Sequence, residues 1–556
     1  MLQWSVQSQW TRMMVDEIRR RQFSTPAMNL VANSYAVCVR GTKGPAGDNR
    51  KAFKQLLENL GIPWPEKPAK AVDKLDVLFK LSVKWDIHLW FTVKLLHGKT
   101  AAGGSLLYIG PSRYTFFWSN LYNDISSYVM RRYVGAYMKY FSLGDVKANQ
   151  KVDHFLVFNV TKYIVSKLAG LCNRRSAKFT MDSLAKRIGV SMDHWISVAN
   201  KYFQFNESFL PNDTVVVRPA GIIDAARHFS SMYGPSLIQS HLGWWVLQIF
   251  APIISSDFFL LKYGSKSVAD QSRPIFCQIH TEQSYKLLVL ANHIALHFPP
   301  SVRQSVDMVL QNVREQAASF FETSTESSEK YKLVAQKLRD VKIDLWPKPE
   351  YLNKTVLERI YDRPKMYNIS TLEFWISERK ARFNLTGSDA YFESTRLANS
   401  FSDELFVYDN VLNRVTLSMA AVHAPFYYND MNAAVNYGGL GAAFLKTVLQ
   451  GMDIDEQALD RDNTSSQHEE GVRDSCADNL NISRVSFMSA LRAFSTIKHG
   501  GKFANVSHYP PEAFFFVSYC HTQSRMNPSF DCNKELRGVE RFRRAFRCGR
   551  DSGMFA

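Results

Sequence analysis

The sequence predicts a mainly α protein with small β elements, built from more than one lobe. Three observations lead there. The chain has 556 residues and a mass of 63.7 kDa, more than one ordinary core accommodates, so two or more lobes are expected. Through most of the first 345 residues, apolar positions recur every three to four residues, the period of a half-buried helix. Apolar residues make up 46% and charged residues 21%, the balance of a globular chain, which excludes collagen, coiled coil and general disorder.

The elements follow in order. Residues 50–60, 74–90, 178–203, 221–233, 282–298 and 302–321 carry the helical period. Over residues 91–118 the pattern changes: FTVKLL, a turn at Gly103-Gly104, then SLLYIG read as a β-hairpin. Residues 242–254 (LGWWVLQIFAPII) are the longest apolar run, 13 residues interrupted by Gln248. That suits a buried helix and is shorter than the roughly 20 residues that span a bilayer, so no membrane span is expected. A charged helix at 327–340 precedes WPKPEYL, whose two prolines mark a linker. A second apolar block holds a strand at Arg414-Val415-Thr416-Leu417 and a helix from residue 441 to about 451, then an acidic surface loop over 453–475. The expected organisation is a region over 1–345, a linker over 346–394 and a second region over 395–556.

Basic residues number 68 against 51 acidic, a net charge of +17. The one dense run, residues 537–550 (RGVERFRRAFRCGR), contains Glu540 and reads as a solvated basic helix, so no nucleic-acid partner is expected. Seven cysteines (Cys38, Cys172, Cys277, Cys476, Cys520, Cys532, Cys548) show no C-x-x-C spacing, which excludes a zinc ribbon or thioredoxin motif. Nine N-x-S/T sequons stand at Asn159, Asn206, Asn212, Asn353, Asn368, Asn384, Asn463, Asn481 and Asn505. Chance would supply on the order of four. The excess points to the secretory pathway and an extracellular or cell-surface location, with Asn463 in the polar loop the best acceptor. The N-terminal stretch MLQWSVQSQWTRMM has no signal-peptide core, so the expectation is either a secreted chain whose leader is missing or a protein that is not secreted.

The most informative segment is Asn436-Tyr437-Gly438-Gly439-Leu440-Gly441. As a dinucleotide fingerprint it fails at Phe444, and a tight turn opening a buried helix explains the glycines equally well. Its surroundings are more specific. Asn413-Arg414-Val415-Thr416-Leu417 and Ala424-Pro425-Phe426-Tyr427 precede it; Ala477-Asp478-Asn479 and Ala545-Phe546-Arg547-Cys548 follow. Upstream stand Tyr35 to Cys38 (YAVC), LGIPW at 60–64, and Pro111-Ser112-Arg113-Tyr114. In this order and spacing they resemble the neprilysin and endothelin-converting-enzyme family of zinc metallopeptidases. That family carries N-Y-G-G-[IL]-G directly before a helix bearing H-E-x-x-H. The resemblance spans nearly the whole chain and implies a two-lobed fold, a helical lobe and a thermolysin-type lobe around a central cavity.

At the metal site the sequence departs from the family. The two histidine ligands fall on Lys446 and Gln450, the general-base glutamate on Thr447, and the glutamate ligand on Asp474. Asp478 alone retains its type, at the position of the aspartate that supports the ligands. The asparagine-alanine pair that holds the substrate backbone falls on Leu405 and Phe406, and the late histidine and arginine are missing. Such catalysis needs three N or O ligands, an open water position and a carboxylate base. The expectation is therefore a chain without zinc or other cofactor, a pseudo-peptidase that binds a peptide or protein. The alternative is an active zinc metalloendopeptidase. The implied geometry places the Lys446 ammonium against Asp474 and Asp478 as an ion-pair substitute for the metal, unless it reaches solvent. The resemblance also pairs Cys38 with Cys277, and leaves Cys520 and Cys548 unpaired or joined to each other or to Cys532. Elsewhere, His293 and His297 stand four apart on a predicted helix but with Ile294 between them instead of a base, and read as a chance pair.

Overall fold

The computed structural model describes residues 2–19, 25–40, 46–97, 105–142, 153–171, 175–203, 208–255, 257–323, 329–362, 370–399, 404–452, 480–497, 509–527 and 530–549. Helices dominate, with seven short strands among the described residues. The chain divides into two compact units that do not follow the expected boundaries: residues 13–291 with 347–396, and residues 1–12 with 292–346 and 397–556.

The unit of residues 13–291 and 347–396 is organised around the Pro235–Ile254 helix, which contains the apolar run. This helix has the length and composition of a membrane span, yet 94% of its apolar window is buried inside the protein, as in a core helix. Gly243 lets it close on the preceding chain: a Cβ there would stand 2.5 Å from the Ile62 carbonyl oxygen. Around that crossing Trp64 lies tilted against Trp244, and Tyr133 and Tyr137 meet Trp244 edge-on.

Beside it lies a four-stranded sheet of β1 (Phe91–His97), β2 (Ser105–Pro111), β3 (Ala177–Thr180) and β4 (Thr214–Val217), in the order β1-β2-β4-β3. β1 and β2 form the expected antiparallel hairpin, with Phe91 opposite Pro111; its glycine turn lies outside the described residues. The helix expected over 74–90 is shorter. It runs over Lys74–Phe79, continues as a π-helical turn over Lys80–Lys84, and ends before Asp86, whose φ of +56° turns the chain towards β1. Asp86 tolerates this because its buried carboxylate meets Arg113 at 2.7 Å, Arg382 at 2.9 Å, His88 at 3.0 Å and Arg379 at 3.3 Å. The guanidinium charges hold it well below the ordinary carboxylate range against the opposing effect of burial. The helix expected over 178–203 is likewise two, Met181–Ile188 and Met192–Tyr202, separated at Gly189, which has φ +84°.

The expected linker over 346–394 is not one. It forms the Lys354–Ile360, Thr371–Phe383 and Asp389–Arg396 helices. These belong to the same unit as the hairpin: Leu95 N–H donates to the Tyr391 hydroxyl at 3.2 Å, and Lys94 Nζ to the Thr395 carbonyl at 3.3 Å. The two prolines at 347 and 349 punctuate a tight passage, and the segment's apolar residues Leu372, Trp375 and Phe392 are buried.

In the unit of residues 1–12, 292–346 and 397–556, β5 (Lys342–Asp344), β6 (Phe406–Asp409) and β7 (Arg414–Leu417) form a sheet in the order β5-β7-β6. β5 pairs parallel with β7, and β6 antiparallel, which ties residues 342–344 to the C-terminal part of the chain. The Pro300–Thr323, Ala442–Met452, Leu480–Ser495 and Pro511–Met526 helices pack with this sheet into one core.

Candidate functional site

The Asn436–Gly441 segment is held by packing and hydrogen bonds within the protein. The Asn436 side chain fastens the passing chain at both of its atoms: Tyr428 N–H donates to its Oδ1 at 2.8 Å, and its Nδ2 donates to the Tyr428 carbonyl at 2.9 Å. The Tyr437 hydroxyl accepts from Asn312 Nδ2 at 2.8 Å, while burial raises its phenol. Tyr437–Gly441 is a π-helical turn that runs straight into the Ala442–Met452 helix. A Cβ on Gly438 would overlap the Phe515 carbonyl oxygen, and one on Gly439 would stand 2.5 Å from that of Phe426. Ser518 Oγ donates to the Val435 carbonyl at 2.7 Å. Gly438 and Gly439 are closed off by main-chain carbonyls and Gly441 by the Val313 side chain, which accounts for the three as a packing device in place of a phosphate cradle.

That turn fixes the rotation of the helix behind it, and with it Lys446, Thr447 and Gln450, all half-buried. Lys446 Nζ lies 3.4 Å from Gln523 Oε1, on the Pro511–Met526 helix. Gln523 is 1% exposed, and its Nε2 has no hydrogen-bond partner among the described residues. Thr447 Oγ1 donates to the Ala443 carbonyl one turn back, at 3.1 Å. Asp474 and Asp478 lie outside the described residues, as does the 453–475 loop. Gly451 brings the far end of the helix against β6: a Cβ there would stand 2.5 Å from Tyr408 Cδ1. Nothing in the sequence singled out Gln523, which reaches Lys446 from 77 residues away.

Leu405 directly precedes and Phe406 opens β6, an edge strand. The Leu405 carbonyl accepts from Ser418 N–H at 2.9 Å. By the alternation of an antiparallel pair, Phe406 and Tyr408 then turn their main-chain groups away from β7, towards the outer edge of the sheet.

His293 and His297 acquire a companion that no spacing in the sequence revealed. His423 Nε2 lies 3.1 Å from His293 Nε2, and the His293 and His297 rings are 4.6 Å apart. Burial, reinforced by the two other imidazoles, pushes His423 down to about 3, and His293 is also held well below its ordinary value.

Cys38 is bonded to Cys277, and Cys520 to Cys532, each pair with Cα atoms 5.5 Å apart. Cys548 has no disulfide partner among the described residues, and Cys172 and Cys476 lie outside them. Asn159, Asn212, Asn353 and Asn384 are exposed, and Asn481 falls in the Leu480–Ser495 helix. Asn206, Asn368, Asn463 and Asn505 lie outside the described residues.

No protein-family model matches the sequence, and no curated protein does. Solved structures do match. PepO from Lactobacillus rhamnosis aligns with a TM-score of 0.61 at 14% identity, over 99% of this chain and 93% of that one. The Mycobacterium tuberculosis zinc metalloprotease Zmp1 in complex with an inhibitor aligns at 0.59 and 14% identity, over 100% of this chain and 91% of that one. A Haemonchus galactose-containing glycoprotein complex aligns at 0.53 and 13% identity, over 99% and 90%. At such identities the likeness shows the fold: mainly α, with small sheets, of the neprilysin-like kind that the sequence resemblance implies.

Proposed function

We propose that the chain is a catalytically inactive member of the neprilysin-like fold, which binds a peptide or protein outside the cell and does not cleave it. The observation that carries this reading is the donor set on the Ala442–Met452 helix. Where the resemblance implies two imidazoles and a carboxylate, the helix offers an ammonium, an amide and a hydroxyl directed at its own backbone. A protonated lysine cannot ligate, an amide oxygen is a poor zinc ligand, and a threonine hydroxyl has no useful basicity near neutral pH. At an effective dielectric of 20, a unit charge pair at 4 Å costs about 4 kcal/mol, so a dication beside Lys446 meets roughly twice that. This donor set does not fit zinc.

Binding without cleavage is supported by β6. Its outward main-chain groups at Phe406 and Tyr408 offer an extended peptide a strand to pair with. The extracellular setting is supported by the nine sequons and by two disulfides, which persist in oxidising compartments.

A fluorescent, internally quenched peptide tests both halves in one tube. Anisotropy should rise with protein concentration while the quench persists, and N-methylation of alternate peptide amides should abolish the rise. Turnover blocked by a chelator would overturn the proposal in favour of an active zinc metalloendopeptidase. Location is tested separately, by expression with a supplied signal peptide and a search for a glycosidase-sensitive mass shift.

A further inference from the structure

His293, His297 and His423 converge within one compact unit, on elements other than the Ala442–Met452 helix. Two of them lie on consecutive turns of the Lys266–His297 helix, where a spacing of four puts side chains on one face. The third closes the Met419–Val422 turn, and its carbonyl accepts from Phe426 and Tyr427 N–H at 2.9 and 3.1 Å, which anchors the backbone that carries the ring. The Nε2 atoms of His293 and His423 are 3.1 Å apart, and a ring nitrogen of His297 lies within 4.8 Å of one on His293. Two nitrogens that share a tetrahedral cation at about 2.1 Å each stand roughly 3.4 Å from one another. The first pair already has that spacing, and the third ring belongs to an exposed side chain that can close the remaining gap.

The walls are aromatic. Trp10 meets His293 edge-on at 4.3 Å and His423 at 5.3 Å, and Phe298 stands 5.2 Å from His423. His293 is 0% exposed while His297 is at the surface, so the cluster has a dry floor and a wet mouth. We propose that these three imidazoles form a site for a divalent first-row transition cation of borderline softness, with water at the open position. Three neutral imidazole nitrogens suit zinc or copper(II) and do not suit calcium or magnesium. The site is separate from the positions the family uses for zinc, and does not depend on the proposed loss of zinc there.

The test uses the full chain, stripped with a chelator and dialysed. Zinc is titrated against a chromophoric chelator, and cobalt(II) is followed by its visible absorption, which is intense in a four-coordinate site. One equivalent should bind. His297→Gln, at an exposed position that should leave the fold intact, and His423→Gln should each weaken binding about tenfold or more, and His521→Gln should leave it unchanged. Calcium and magnesium should not compete. Binding well below one equivalent, or zinc affinity unaltered in His297→Gln with an unchanged melting temperature, would overturn the site. Peptide turnover that appears with the metal and survives His297→Gln would count against the pseudo-peptidase reading and not against this one.

Discussion

Gly438 and Phe515 are packed backbone against backbone, so closely that a Cβ on the glycine would overlap the Phe515 carbonyl oxygen. The clashing atom belongs to a helix main chain and cannot rotate away. Gly438→Ala should therefore destabilise the protein by about 1–3 kcal/mol or more, the range of core overpacking. Gly135 provides the contrast, because nothing lies within 4 Å of its would-be Cβ and it is exposed on the Ser127–Phe141 helix. Gly135→Ala should stabilise by about 0.5–1 kcal/mol. Thermal melts of the two variants check this, and a Gly438→Ala melt equal to wild type would refute it.

His241 is completely buried, and its hydrogen bonds fix a neutral tautomer. Thr161 Oγ1 donates to the Val157 carbonyl, so His241 Nδ1–H donates to Thr161 at 2.9 Å and Nε2 accepts from Trp90 Nε1 at 3.0 Å. Burial lowers this imidazole to about 3, and lowers His88 to about 4 even with Asp86 beside it. Between those values and about 6.5 the unfolded chain takes up protons that the fold refuses. Stability is thus full above about pH 6.5 and falls as pH drops, by about 1.4 kcal/mol per unit for each such histidine. Urea unfolding at pH 7 and pH 5 should show His241→Gln with a shallower pH dependence by about 2 kcal/mol over that interval. An identical slope would refute the assignment.

The Cys38–Cys277 bond closes a loop of 239 residues. In the chain-entropy model a loop of that size stabilises by about 5.5 kcal/mol. Unreduced peptide mapping should recover this pair and Cys520–Cys532, with Cys548 alkylated before reduction. The double variant Cys38→Ser with Cys277→Ser should melt well below wild type. Labelling of the buried Cys277 in native protein would count against the pairing.

How far the sequence could be read depended on whether a residue's partner was near it in the chain. The β1–β2 hairpin, the apolar helix around Trp244 and the helix after Gly441 rest on local pattern, and all three are present. The short strands β3 to β6 were invisible, since three or four residues carry no period and their pairings are distant, as between Lys342 and Arg414. The helix over 74–90 was overextended because its apolar spacing continues past Asp86, where remote arginines decide the backbone. The prolines after Trp346 signalled a break correctly, but whether helices follow depends on burial of Leu372 and Trp375, which periodicity alone did not separate from a linker. At the site, the placing of Lys446, Thr447 and Gln450 on one helix directly after the glycine segment was legible from their spacing to it. Gln523 and His423 are brought in by folding, from positions with no local signature.

Lys446 and Gln523 provide the last test, because the two side chains should be energetically coupled if the lysine is a structural part of the helix pair. Lys446→Met removes the donor facing Gln523 Oε1, on a residue whose Nε2 already has no partner among the described residues. A buried amide left unsatisfied costs about 1–3 kcal/mol, so this variant should be destabilised by that order. Replacing both partners with apolar groups removes the unmet demand as well as the bond. Lys446→Met with Gln523→Leu should therefore recover much of the loss, and denaturant titrations of the four proteins should give a coupling of about 1 kcal/mol or more. Strict additivity would mean that Lys446 spends its charge elsewhere, and that the lysine carries no structural consequence for Gln523.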